Sequence, residues 1–412
     1  MDHQPIRILY VCHDGELYGS QQSLNLLVKY LPKERYQCFV SVARPGALEA
    51  VLRHYPNVTV LRHRRLQWVK HDPRSCLQRI GDILTLAATA LPRVWYLFNT
   101  IRREKINVVH TNSSVSLEGA LAAALAGIPH IWHIREMFME KSPKFHLVLG
   151  CKITRWLINH FSDTVICISE AVRNQFGPFL DQDPERFQVV YNALELNAYR
   201  PLVPGNDPQR TILRSLALND LGLSDTRTFR VGYIGRLSEG KGFHELLEAV
   251  AMLKLRDMSV EVLVAGNFVD EAYKKRILDR VQQAGLEEEV HFLGYRDDLT
   301  QIYEVIDLLV VPSRNEPFGR VVIEAMANGI PCIATHSGGI PEIIDQGMTG
   351  LLYPPGDVYA LAGLIEELAV AFWKLETIRQ NARRMVEERF NIDNQIRILD
   401  ECYQSVIARH QL

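Results

Sequence analysis

A chain of 412 residues is long enough for two domains at roughly 100 to 200 residues each, and its 47% hydrophobic and 23% charged residues are ordinary globular usage. Whole-chain disorder, collagen and coiled coil are therefore excluded. With 46 Lys and Arg against 48 Asp and Glu the formal charge is −2, so no bulk basic excess marks a dedicated nucleic-acid binder.

The apolar run Ile6 to Cys12 is too short, and too close to polar residues, for a signal peptide, and reads as the first buried strand. Further strands are predicted at Cys38–Ala43, Val58–Arg62, Val108–Thr111, His130–Ile134, Thr164–Ile168 and Gln188–Tyr191, with helical stretches between them. Between Leu194 and Thr228, Pro201, Pro204, Gly205, Asn206, Asp207 and Pro208 leave one short helix-like patch, which predicts a linker over 195–228. A second series of strands runs through Phe229–Ile234, Val260–Ala265, Val290–Leu293, Leu308–Val311, Cys332–Ala334 and Leu351–Tyr353. After Asp357 only helical spacing remains, as in Leu361, Leu364, Leu368, Phe372, Leu375 and Ile378. Strands alternating with helices predict an α/β fold with parallel sheets. The expected domains are 1–194, the linker, 229–390 and a C-terminal helix over 391–412.

Seven cysteines (Cys12, Cys38, Cys76, Cys151, Cys167, Cys332 and Cys402) never form a Cys-x-x-Cys pair, which argues against a disulfide framework or zinc ribbon. The longest apolar stretches, Ile83 to Leu91 and Leu117 to Ile128, fall short of the ~20 residues that span a bilayer. A soluble, reducing-compartment protein is expected.

Strand Phe229–Ile234 runs into Gly235-Arg236-Leu237-Ser238-Glu239-Gly240-Lys241-Gly242, and a helix follows. Glycines let the backbone approach a ligand at the carboxyl end of a parallel strand, and the next helix offers N–H groups to an anion. From this loop alone, a diphosphate site and a solvated βα turn are equally good readings. The spacing fits neither the dinucleotide fingerprint nor the Walker pattern. The sharper signal is Glu316-Pro317-Phe318-Gly319-Arg320 followed by Glu324-Ala325-Met326-Ala327-Asn328-Gly329-Ile330-Pro331. Glu316 stands before a helix start, and Glu324 stands within the helix among small and apolar neighbours. A buried carboxylate needs partners, and paired sugar or ribose hydroxyls suit it because it accepts two hydrogen bonds. Taken singly, a cap at Glu316 and an ion pair at Glu324 explain each residue at least as well.

Together these motifs resemble the retaining GT-B glycosyltransferases of family four. The matching residues are Gly235-Arg236 with Lys241-Gly242, Glu316 and Glu324, Ser337-Gly338-Gly339-Ile340-Pro341-Glu342, Ser169-Glu170, and Tyr191-Asn192-Ala193. The likeness covers nearly the whole chain and is strongest from Val231 to Asp357. It implies two Rossmann-like, doubly wound parallel-sheet domains facing a cleft that closes on its substrates, with the C-terminal helix crossing back. The implied activity is retaining transfer of a hexosyl or N-acetylhexosaminyl group from a nucleotide-diphosphate sugar to a saccharide, glycolipid or polysaccharide, in cell-surface polysaccharide or glycoconjugate synthesis.

The resemblance also implies residue roles. Arg236 and Lys241 would neutralise the diphosphate, Glu324 hold the ribose, and Glu316 contact the transferred sugar beside the backbone of Phe318 and Gly319. Gly294 and Tyr295 would lie near the base, Gly19 and Ser20 near the diphosphate and acceptor, and His133 near the sugar. Members often carry a second glycine where Ser20 stands, and His133 is followed by Ile134-Arg135-Glu136 where they have an immediate acid. Cations and N–H donors placed where leaving-group charge develops make a metal dispensable, so the donor sugar is a co-substrate and no cofactor is expected. A nucleotide-sugar epimerase on the same architecture and a non-catalytic sugar-nucleotide-binding protein are the rival readings.

Asp181-Gln182-Asp183 has a metal-binding spacing but sits in a polar loop, and His130 and His133 at i and i+3 of a strand point to opposite faces. His110 reads best as a structural histidine. The segment 53–105 is basic, with Arg53, Arg62, Arg64, Arg65, Lys70, Arg74, Arg79, Arg93, Arg102, Arg103 and Lys105 interleaved with Trp68, Trp95, Tyr96 and Phe98. It reads as a solvated face or as a contact for an anionic membrane, and Phe138 and Met139 as an acceptor wall or core cover. The expected location is the cytoplasm, with the inner face of the membrane as the place of any peripheral contact.

Overall fold

The computed structural model describes residues 4–63, 69–71, 76–138, 145–199, 208–224 and 228–411. They form two units, Met1–Ala193 with Ile392–Leu412, and Leu194–Asn391.

In the first unit the strands are β1 (Ile6–Cys12), β2 (Tyr36–Val42), β3 (Val58–Arg62), β4 (Val69–His71), β5 (Val108–Asn112), β6 (His130–Ile134), β7 (Phe145–Leu147), β8 (Thr164–Cys167) and β9 (Phe187–Val189). Seven of them make one sheet, in the order β3-β2-β1-β5-β6-β8-β9, and every pairing is parallel. Tyr10 stands between Val40 and His110 in the central register. The middle strands are apolar along their length because helices cover both faces of a parallel sheet, and Ile8 to Cys12 are wholly buried. β4 and β7 pair antiparallel outside this sheet, a two-strand element that the sequence patterning does not announce. The helix Ile392–Gln411 belongs to this unit, where Ile392, Leu399, Tyr403 and Val406 join Tyr10, Tyr36 and Cys38 in the core.

The second unit holds β10 (Phe229–Ile234), β11 (Val260–Ala265), β12 (Val290–Gly294), β13 (Leu308–Val311), β14 (Cys332–Thr335) and β15 (Leu351–Tyr353). Their order is β12-β11-β10-β13-β14-β15, again all parallel. Val231, Val262, Val264 and Val310 form its core with Phe243, Leu246, Leu361 and Ile365 from the covering helices. In each unit strand order reverses once, between β1 and β5 and between β10 and β13. Beyond the carboxyl ends of such a strand pair the loops diverge and leave a crevice, the place where open parallel sheets bind ligands.

The stretch 195–228, expected to be a linker, lies inside the second unit. Its residues Pro208–Asp220 form a helix that buries Ala217 and Leu218. Arg214 donates to the Glu304 carbonyl at 3.3 Å, and Gln301 donates to Asp220 at 3.0 Å. The short apolar patch is thus a packing face. The Pro- and Gly-rich run 201–207 lies outside the described residues.

Candidate active site

Three loops at the switch point of the second unit are tied to one another by backbone. Gly242 has φ +69°, and a Cβ there would stand 1.9 Å from the Pro312 carbonyl oxygen, so the β10 loop can press on the β13 loop only with glycine at this position. Arg314 N–H donates to the Gly240 carbonyl at 3.0 Å. From the β14 loop, Gly339 N–H donates to the Glu316 carbonyl at 2.9 Å, and Gly338, at φ +58°, leaves only 2.0 Å between its would-be Cβ and the same oxygen.

This framework brings together two residues to which separate tasks were assigned. Lys241 Nζ donates to Glu316 Oε2 at 2.6 Å, and both side chains are partly exposed. The two form one ion pair. Arg236, on the same loop as Lys241, is exposed, and no carboxylate pairs with it among the described residues. Phe318 is buried against Phe390 with ring centroids 5.8 Å apart, and Gly319, at φ +103°, precedes the helix Arg320–Ala327.

Glu324 lies one turn into that helix, half-buried. Its Oε1 accepts from Arg320 Nε at 2.7 Å, and among the described residues nothing hydrogen-bonds to its Oε2. Burial works against the charge of Arg320, yet Glu324 and Tyr199 beside it hold its pKa above the usual guanidinium value. Burial, then the charge of Glu324, pushes Tyr199 up to about 12. The i, i+4 spacing of Arg320 and Glu324 was the available signal for this pair. Gly294, at φ +70°, accepts from Gly266 N–H at 2.8 Å and ends β12, and Tyr295 after it is exposed.

Gly19, Ser20 and His133 lie in the first unit. Gly19 opens the helix Gly19–Tyr30, and the Ser20 carbonyl accepts from Asn112 Nδ2 at 3.2 Å. Asn112 Oδ1 accepts in turn from Arg135 Nε at 2.8 Å, and Arg135 Nη1 donates to Asn192 Oδ1 at 2.7 Å. His133 is fully buried on β6. Its Nδ1 is 3.2 Å from His110 Nε2 and 3.4 Å from Arg135 Nη2, and among the described residues its Nε2 has no partner. Burial foremost, then the charge of Arg135, holds His133 and His110 well below the usual imidazole pKa. Arg135, Asn112, His110 and Tyr403 were not singled out as site residues. The last two lie 293 residues apart, and no local pattern joins them.

Glu136 is occupied by Ser113, Ser114 and the Arg135 N–H. His130 points away from His133, to Thr111 at 2.8 Å and the Phe161 carbonyl at 2.8 Å. Asp183 caps Arg186 and pairs with it at 3.0 Å. Among the described residues no group of three or more His, Cys, Asp or Glu side chains is placed to hold a metal ion. Within the basic segment, Arg53 and Arg62 both pair with Glu49, while 64–68, 72–75 and Met139 lie outside the described residues. No helix among the described residues is long and apolar enough to cross a membrane.

Two successive parallel-sheet units, the second carrying paired charges at its switch point, define a GT-B α/β protein. Residues 221–385 match the model described as "Glycosyl transferases group 1" and residues 17–198 the model "Glycosyltransferase Family 4". The chain belongs to this glycosyltransferase family. It is 30% identical over 254 residues to the D-inositol 3-phosphate glycosyltransferase of Corynebacterium kroppenstedtii, covering 60% of this chain and 54% of that protein. It is 28% identical over 250 residues to the N-acetyl-alpha-D-glucosaminyl L-malate synthase of Bacillus anthracis, covering 60% of each. The matched stretch thus spans little more than half the length of these curated relatives. Among solved structures, Anabaena HepE in complex with UDP and glucose superposes with a TM-score of 0.77 at 26% identity, over 97% of this chain and 100% of that one.

Proposed function

We propose that this protein transfers a sugar, with retention, from a nucleotide-diphosphate sugar to a saccharide, glycolipid or polysaccharide acceptor. The observation that carries this reading is the Lys241–Glu316 pair at the β10/β13 switch point, flanked by Arg236, which has no carboxylate partner among the described residues, and by Glu324, one of whose oxygens none of them bonds. Breaking the anomeric C–O bond builds negative charge on the diphosphate and oxocarbenium character on the sugar. Arg236 and Lys241 supply the countercharge without a metal, and Glu316 bridges from Lys241 to the sugar. Glu324 Oε2 accepts from the ribose hydroxyls. The HepE complexes with UDP and UDP-glucose make a UDP-sugar the first donor to try.

The test is release of free nucleotide from UDP-, GDP-, ADP- and dTDP-sugars with a chelator present. Release from one donor, lost in Glu316→Ala and Lys241→Ala, supports the transferase reading. Interconversion of the donor sugar without nucleotide release overturns it in favour of an epimerase, and tight binding without turnover over a broad acceptor panel favours a binding protein.

A lipid-linked acceptor is favoured by one surface. On the helix Cys76–Arg103 the exposed Ile80, Leu84, Leu91 and Trp95 recur at helical spacing, and Arg102 and Arg103 close its last turn. This stripe meets the inner leaflet of an anionic membrane.

A further inference from the structure

In the first unit a buried line of polar groups reaches His133 from the helix Ile392–Gln411. The hydroxyls of Tyr10 and Tyr403 are 3.0 Å apart, the Tyr403 hydroxyl is 2.7 Å from His110 Nδ1, and His110 Nε2 is 3.2 Å from His133 Nδ1. All four side chains are fully buried. Among the described residues His133 Nε2 is left without a partner.

Arg135 gives this line its direction. A guanidinium only donates, and Arg135, anchored by Asn112 and Asn192, turns Nη2 toward His133 Nδ1 at 3.4 Å. A ring nitrogen facing a fixed cationic donor carries the lone pair. His110 Nε2, aimed at the same nitrogen, is then an N–H, which leaves His110 Nδ1 to accept from the Tyr403 O–H. The Tyr403 oxygen accepts from Tyr10. Every group on the line is satisfied in this arrangement except one, the His133 Nε2–H. Burial keeps both phenols protonated and both imidazoles neutral.

We propose that Tyr403 and His110 are positioning residues that lock His133 in its Nε2–H tautomer, so that His133 meets the substrate as a neutral hydrogen-bond donor and not as a base. The proposal rests on the glycosyltransferase reading, in which His133 contacts the transferred sugar. A sugar oxygen has the lone pairs that a buried, orphaned N–H lacks.

The experiment uses the full chain labelled with 15N-histidine, with His110 and His133 assigned by His110→Gln and His133→Gln. In the unaltered protein both residues are expected to show a protonated Nε2 and an unprotonated Nδ1. Tyr403→Phe removes the donor to His110 Nδ1 and should shift both residues toward mixed tautomers. Tyr10→Phe deletes a hydroxyl at the same buried junction but leaves the Tyr403 O–H free to donate, so it should leave both tautomers unchanged. A protonated Nδ1 on His133 in the unaltered protein, or equal shifts in the two phenylalanine variants, overturns the relay. Turnover is then read on the donor that the nucleotide-release panel identifies. Tyr403→Phe should lower kcat on the order of tenfold, one hydrogen bond's worth, with KM for the donor nearly unchanged. Intact tautomer control with unchanged kcat overturns the role of His133 as donor to the substrate. Failure of every donor sugar counts against the transferase reading and leaves the spectroscopic result standing.

Discussion

Lys241 Nζ and Glu316 Oε2 lie 2.6 Å apart although 75 residues separate them in the chain. The cation expected to hold phosphate is therefore already neutralised before any anion arrives. In the proposed reading, a donor's diphosphate shares Lys241 with Glu316, whose carboxylate faces the sugar.

Lys241→Ala is accordingly expected to cut nucleotide release on the order of 100-fold or more, because it removes charge where leaving-group charge grows. Stability should change by less than about 1 kcal/mol, since the pair is partly solvated. Initial rates and a urea titration on the same preparation check both. Intact turnover would remove Lys241 from the phosphate site.

Glu324→Ala should raise the donor dissociation constant about tenfold through the lost ribose contact, with a small effect on the chemical step. Arg320→Leu removes the partner of Glu324 and leaves the carboxylate in place, so it should cost stability more than donor affinity. If the two variants change calorimetric affinity alike, Glu324 is a structural ion-pair member only.

Gly338→Ala sets a Cβ against the Glu316 carbonyl in a backbone region that disfavours side chains. The expected loss is about 2 kcal/mol or more, with nucleotide release falling further than stability because the β14 loop holds the Glu316 backbone. Denaturation midpoints and rates measured well below the midpoint separate the two effects.

Histidine burial makes the first unit sensitive to acid. Burial lowers the pKa of His130 to about 4. The unfolded chain takes up a proton near pH 6.5 that folded His130 refuses until about 4, so stability is full above pH 6.5 and falls as pH drops through that window. Urea midpoints from pH 4 to 7 should slope upward, and His130→Asn should flatten the slope by one proton. An unchanged slope would mean that His130 stays charged when folded.

Co-flotation with anionic vesicles, weakened by salt, is expected from the stripe on the helix Cys76–Arg103. Leu91→Glu and Trp95→Glu should abolish it without altering nucleotide release from a soluble donor. Equal flotation of both variants would rule the stripe out as the membrane contact.

The buried strands are legible because an all-parallel sheet covered on both faces demands apolar runs, and those from Ile6 to Cys12 and from Phe229 to Ile234 are unbroken. The three-residue strands β4 and β7 have no such signature. The helix Pro208–Asp220 shows in the sequence only as a short helix-like patch after a run of prolines, and its packing is set by Glu304 and Gln301, which lie 90 and 81 residues from their partners Arg214 and Asp220. At the site, residue types and spacing could nominate Lys241, Glu316 and Glu324, but could not say that Lys241 and Glu316 hold each other. Nor could they find His110 and Tyr403 behind His133, since that contact exists only once the last helix has packed on β1 and β5.

The first unit is consequently a discontinuous object, closed by Ile392–Gln411 after the whole second unit has been threaded through. On the ribosome, β1 to β9 are made early but wait for Leu399, Tyr403 and Val406, while the second unit can complete its core first. A fragment ending at 193 would expose the apolar seat of that helix and leave Tyr10 and His110 without their shared hydroxyl. The order of synthesis and the order of completion run in opposite directions along this chain.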